Sequence, residues 1–184
     1  MEARSYAPGP AAIAAIRAEL EEALQEDPLN AEAVERLAGI DEKKPDVERL
    51  RAITKARPAD SRGWAALAAA TADDAERRLA VRKAAELNPD SSRAQAALAH
   101  ALLEEGKNKE ALAAANRAMD LAPWDPYMIE TLGSVAASLG KCPEALQLQR
   151  RAERIFVQHE QDLDGARKRT ATLEERCAKR APGN

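Results

Sequence analysis

Proline recurs along this chain at a spacing that leaves few architectures open. Pro28, Pro58, Pro89 and Pro123 follow one another at intervals of 30, 31 and 34 residues. Self-similarity at a period of roughly 20–50 residues marks a repeat array, in which each unit buries its apolar face against its neighbours. Other positions keep the same register. Nine residues after each proline stands a leucine followed by a small residue: Leu37-Ala38, Leu67-Ala68, Leu98-Ala99 and Leu132-Gly133. Five residues before it are Ala23, Ile53, Ala84 and Ala118, and eight before it Leu20, Leu50, Val81 and Ala115. Two residues after it come Asn30, Asp60, Ser91 and Asp125, whose side-chain oxygens suit a helix N-cap.

Each period therefore reads as two helices. The first starts at the cap and carries a stripe at helical spacing, as in Gln95, Leu98, Ala99 and Leu102. A turn follows: Lys43-Lys44-Pro45, Asp73-Asp74, Gly106-Lys107-Asn108 and Gly140-Lys141-Cys142-Pro143. Gly106 and Gly140 stand where a helix C-terminus favours a left-handed residue. Pro45 and Pro143 are expected to open second helices, where the missing N–H costs nothing. Each second helix is expected to end just before the next proline.

Composition agrees with this. Alanine occupies 43 of 184 positions, which favours helices and argues against an all-β chain. The formal net charge of -3 gives no electrostatic reason to expect nucleic acid or an anionic membrane. The longest apolar run, Trp64 to Ala70, is far short of the roughly 20 residues that span a bilayer, so no membrane insertion is expected. His100 and His159 stand far apart with no short-spaced ligand partner, and no phosphate-binding or dinucleotide fingerprint is present. The expectation is no metal, no cofactor and no catalysis.

The segments ALAHALLEEGKNKEALAAANRAMDLAPWD and ETLGSVAASLGKCPEALQLQRRAERI resemble tetratricopeptide repeats. The family's pattern falls on Gln95, Leu98-Ala99, Leu102, Gly106, Ala111, Ala115, Ala118 and Pro123, and again on Ile129, Leu132-Gly133, Ala136, Gly140, Ala145, Gln149 and Ala152. The resemblance implies an all-α, right-handed α-solenoid of helix-turn-helix repeats. Four repeats are expected within 31–157, at 31–58, 61–89, 92–123 and 126–157, the first two being shorter and without the turn glycine. Residues 1–9 are expected to be disordered. An N-terminal capping helix over 10–28 presents Ile13, Ile16, Leu20, Ala23 and Leu24. A C-terminal capping helix over 159–180 presents Leu163, Ala166, Thr170, Leu173 and Cys177, with Arg167, Lys168, Arg169 and Glu174 turned to water.

Cys142 opens the last repeat's second helix and Cys177 lies near the end of the capping helix. If these helices form an antiparallel hairpin turning between His159 and Glu160, both cysteines fall at its open end. A disulfide there would close a loop of about 35 residues and contribute on the order of 3–4 kcal/mol. Two separate, reduced thiols are the alternative. As the sequence stands, with no leader in its first twenty residues, a cytoplasmic protein is expected. Pairing of the cysteines, with Met1 standing in place of a removed leader, would make it periplasmic or extracytoplasmic.

The resemblance also implies a function. First helices of such arrays line a concave groove that holds a segment of another protein. The family's groove positions fall here on Glu32, Glu35 and Gly39; Arg62, Ala65 and Ala69; Arg93, Ala96 and His100; Tyr127, Glu130 and Ser134. Arg62, Arg93, His100, Tyr127, Glu130 and Ser134 are the candidate partner-binding residues. The positions of the chaperone-tail clamp are occupied here by Glu35, Gly39 and Ala65 or Ala66, with only Arg93 fitting, so that subclass is not expected. A non-catalytic interaction scaffold is expected, the alternative being a structural, oligomerisation or regulatory module of a larger protein. Trp124 is expected to pack between repeats.

Overall fold

The computed structural model describes residues 9–43, 45–158 and 163–179. Among them are ten helices and no strand: α1 (Pro10–Glu26), α2 (Ala31–Ile40), α3 (Val47–Ala56), α4 (Ser61–Ala70), α5 (Asp74–Leu87), α6 (Ser92–Glu104), α7 (Asn108–Leu121), α8 (Pro126–Ser138), α9 (Cys142–Gln158) and α10 (Leu163–Ala178). The expectations for the N-terminal residues 1–8, for Lys44, for a turn at His159 and Glu160, and for the C-terminal end lie outside the described residues. Contacts divide the chain into two units, Met1–Leu87 and Asn88–Asn184.

The repeat's punctuation is written in hydrogen bonds. Asn30, Asp60, Ser91 and Asp125 each accept a backbone N–H of the following helix, from Ala33, Arg62, Ala94 and Tyr127. Each proline leaves a carbonyl at the junction that needs a donor. Four different side chains supply one: Arg49 to Pro28, Trp64 Nε1 to Pro58, Gln95 Nε2 to Pro89, and Arg151 to Pro123. Helices α1, α3, α5 and α7 end two residues before those prolines, as the steric restriction on a pre-proline residue requires.

In the first unit the core is Val34, Leu50, Ile53, Ala66 and Leu67, drawn from α2, α3 and α4. Cβ-free Gly63 lets α4 approach α3, since a Cβ there would stand 3.1 Å from Ile53 Cγ2. Pro45 does not open α3: Asp46 caps the helix and Val47 begins it, leaving the proline outside. The α1 stripe is only partly buried. Leu20 is covered, whereas Ile13 is exposed and Ile16, Ala23 and Leu24 are intermediate. The reason is length, because α1 has 17 residues and its partner α2 only 10, so the α1 start overhangs.

In the second unit α6 packs on α7 and α8, α8 on α9, and α9 on α10. Alanines at the crossings (Ala99, Ala111, Ala115, Ala118, Ala145 and Ala152) are almost fully buried and allow backbones to come close. Phe156 is the one fully buried aromatic among the described residues. Trp124, expected between repeats, is 74% exposed instead. It stands one residue after Pro123, before the Asp125 cap, in a turn that directs it away from both helices.

Candidate protein-interaction site

Each candidate residue has a place in one of the two units. In the first, Arg62 on α4 is exposed and ion-paired with Glu32 on α2. A neighbouring cleft of about 230 Å³ is lined by Asp27, Glu32, Arg57, Asp60 and Arg62. Arg57 reaches both oxygens of Asp27, at 2.7 and 2.8 Å, and that hydrogen-bonded guanidinium holds the Asp27 carboxyl below its ordinary value. Positive and negative side chains on this face therefore satisfy one another.

The second unit gathers the other five. Arg93 and His100 come from α6, and Tyr127, Glu130 and Ser134 from α8. Because residues three or four apart share a helix face, Tyr127, Thr131 and Ser134 line one side of α8. An open cleft of about 500 Å³ is bounded by Arg93, Ala96, His100, Asp125, Tyr127, Met128, Glu130 and Thr131. Thr131 donates its hydroxyl proton to the Tyr127 carbonyl at 2.9 Å, which leaves its oxygen to accept from His100 Nε2 at 3.3 Å. Desolvation lowers the His100 pKa, with Glu104 acting in the opposite sense. Tyr127 is half exposed and rests edge-on against Phe156, ring centroids 5.0 Å apart.

Glu130 is not a free groove residue. It is 9% exposed, and its Oε1 accepts from Gln149 Nε2 at 2.6 Å and from Arg169 Nε at 2.8 Å. A buried carboxylate requires such partners. Arg169, expected in water, thus turns inward, and its guanidinium also lies 5.3 Å from the Phe156 ring centre. Beyond this bridge a second cleft of about 250 Å³ is lined by Ser134, Gln149, Lys168, Arg169, Thr172, Leu173 and Arg176. The capping helix therefore adds Lys168, Arg169 and Arg176 to a face for which only α6 and α8 had supplied candidates. The signal was in the sequence, since Lys168, Thr172 and Arg176 are spaced i, i+4, i+8.

Cys142, the first residue of α9, is bonded to Cys177 of α10, with the Cα atoms 5.6 Å apart. Ala136, Ala137, Ala145, Leu173 and Cys177 close around the bond. Among the described residues no group of three His, Cys, Asp or Glu side chains is placed to hold a metal, and no helix is long and apolar enough to cross a membrane.

No family model matches the sequence, and no curated protein matches it. Solved structures do. TTC0263, a thermophilic TPR protein of Thermus thermophilus, superposes with a TM-score of 0.64 over 89% of this chain and 91% of its own, at 23% identity. The fold is that of the tetratricopeptide repeat. MamA superposes on the same TPR-like arrangement at 0.58 and 20% identity, covering 79% of this chain and 89% of its own. The TPR2B domain of yeast Sti1, in a complex with pHsp70, gives 0.50 and 16% identity, with 72% and 96% covered. In this TPR fold α6 and α8 carry the candidate residues of the second unit, while α4 carries Arg62 of the first.

Proposed function

We propose that this chain is a non-catalytic interaction scaffold that holds a peptide segment of a partner protein along the α8 face of its second unit. One observation carries the reading: clefts border the largely buried α8 on its α6 side and on its α10 side, and half-exposed Tyr127 stands in the first, braced against buried Phe156. A rigid aromatic at the edge of a cleft offers contact area at little entropic cost. The polar groups of the cleft are occupied in holding the walls together: Glu130 by Arg169 and Gln149, and His100 by Thr131. The Sti1 domain, which shares the fold, is a peptide- or protein-binding precedent by its complex with pHsp70. Arg93 and Tyr127 are the contact residues of this reading; Arg62 belongs to the self-paired face of the first unit.

Selection of a displayed random 12-residue peptide library on the immobilised chain tests the proposal. The expected result is an enriched pool whose binding falls at least tenfold for Arg93→Glu or Tyr127→Ala, with unchanged helix content. A library that yields no enriched pool overturns it. Exposed Trp124 favours a second reading, an oligomerisation module. Light scattering across a concentration series decides for that reading if the mass rises and Trp124→Ala abolishes the rise.

A further inference from the structure

The charges along the α8 face are unevenly committed. Its buried carboxylate, Glu130, is already neutralised by Arg169. Asp125 spends its side chain on the Tyr127 N–H as a helix cap. Arg93 on one wall, and Lys168 and Arg176 on the other, are exposed and make no ion pair with another described residue. The cleft beside α10, lined by Lys168, Arg169 and Arg176 and by no acidic side chain, therefore presents uncompensated positive charge in a chain whose formal net charge is -3, whereas in the α6–α8 cleft Arg93 is accompanied by the Asp125 carboxylate. On the first unit, by contrast, Arg57 and Arg62 are taken up by Asp27 and Glu32. The positive face is thus a local property of the second unit, produced by the way α10 is docked.

We infer that the segment held there is acidic, an extended stretch of a partner protein with two carboxylates four residues apart, on one face of the strand, against Lys168 and Arg176. This rests on the binding reading above and names its ligand class. The spacing follows from geometry. Eight residues of α10 rise about 12 Å, and an extended chain covers that distance in about four residues at roughly 3.3 Å each. Arg93, across α8, meets acidic side chains nearer Tyr127. A nucleic-acid strand fits less well, because backbone tracking relies on many cations and serial base stacking. Here three cations and one half-exposed tyrosine stand in an overall anionic chain.

The same displayed library tests the inference by composition. The expected pool is enriched in Asp or Glu at two positions four apart. A synthetic peptide from it loses at least tenfold in affinity when those acids become Asn or Gln, and several-fold between 50 and 300 mM salt. Lys168→Glu/Arg176→Glu abolishes its binding with an unchanged thermal midpoint. An enriched pool without acidic preference, or one indifferent to the double substitution, overturns the acidic assignment and leaves the scaffold reading standing. No enriched pool defeats both. Binding of a single-stranded dT15 oligonucleotide more tightly than the acidic peptide also overturns the assignment, in favour of nucleic acid.

Discussion

The two units solve one geometric problem with different chemistry. In the second unit, α6 and α8 each end on a glycine in the left-handed region, Gly106 at φ 74° and Gly140 at φ 79°. The residue after each glycine donates back across the turn, Lys107 N–H to the Leu102 carbonyl and Lys141 N–H to the Ala136 carbonyl. This is the glycine-closed helix end expected at such sites. In the first unit α2 closes with the same hydrogen bonds, Lys43 N–H to the Ala38 carbonyl and Glu42 N–H to the Gly39 carbonyl. The left-handed position there is held by Glu42, at φ 53°. Helix α4 abandons the motif. Thr71 ends it in an extended conformation, Asp73 caps α5 through the Ala75 and Glu76 N–H groups, and Glu76 is clamped by Arg51 and the Thr71 hydroxyl. The lesson is that a turn is specified by what its backbone needs, and glycine is one of several ways to meet that need.

The largest expected effect tests the staple that only the second unit has. Cys142→Ser/Cys177→Ser is expected to lower stability by about 3–4 kcal/mol in the chain-entropy account. Hydrogen exchange is expected to locate the loss in α10, with α6 and α7 still protected; equal loss in all three would break the view of α10 as a separately tethered cap. Next come the glycine turns. Gly106→Ala and Gly140→Ala place a methyl in open space, so the cost is backbone strain alone, about 1–2 kcal/mol each by urea denaturation. The reverse change sharpens the comparison: Glu42→Gly is expected to raise stability by about 0.5–1 kcal/mol, relief of strain being offset by unfolded-state entropy. A loss there would show that Glu42 has a role beyond its φ.

The smallest effect is the acid response of the first unit. The hydrogen-bonded Arg51 guanidinium, then the Thr71 hydroxyl, lower the Glu76 pKa from its ordinary 4.5 to about 2. A carboxyl with a depressed folded pKa contributes stability above about pH 4.5 that is lost as pH falls towards 2. Its contact with solvent keeps this below about 1 kcal/mol. Denaturation midpoints measured between pH 5 and pH 2.5 are expected to fall less steeply for Glu76→Gln than for the unsubstituted chain.

How far the sequence was legible follows from the range of the interactions. Caps, glycine turns and pre-proline helix ends involve residues a few positions apart, so the residue types announced them. Glu42 carried no announcement, because a glutamate gives no sign that its φ will be positive. The Glu130–Arg169 bridge joins residues 39 apart and depends on how α10 docks against α8 and α9. Read alone, Glu130 was a groove position and Arg169 a solvated one. Trp124 misled for the opposite reason: a tryptophan suggests burial, but its place between Pro123 and the Asp125 cap gave it nothing to pack on. Of the face proposed for binding, α6 and α8 were visible in the repeat register, whereas α10's share required the packing.

The four proline carbonyls carry a consequence for how such a chain changes over generations. Arg49 and Arg151 reach their oxygens from second helices, Trp64 and Gln95 from first helices six residues on. What duplicated copies inherit is a vacancy for one N–H, open to any donor from either direction. Copies of the motif are therefore free to drift apart letter by letter at these places, each losing an old donor once another has grown into reach, while the junction itself stays the same.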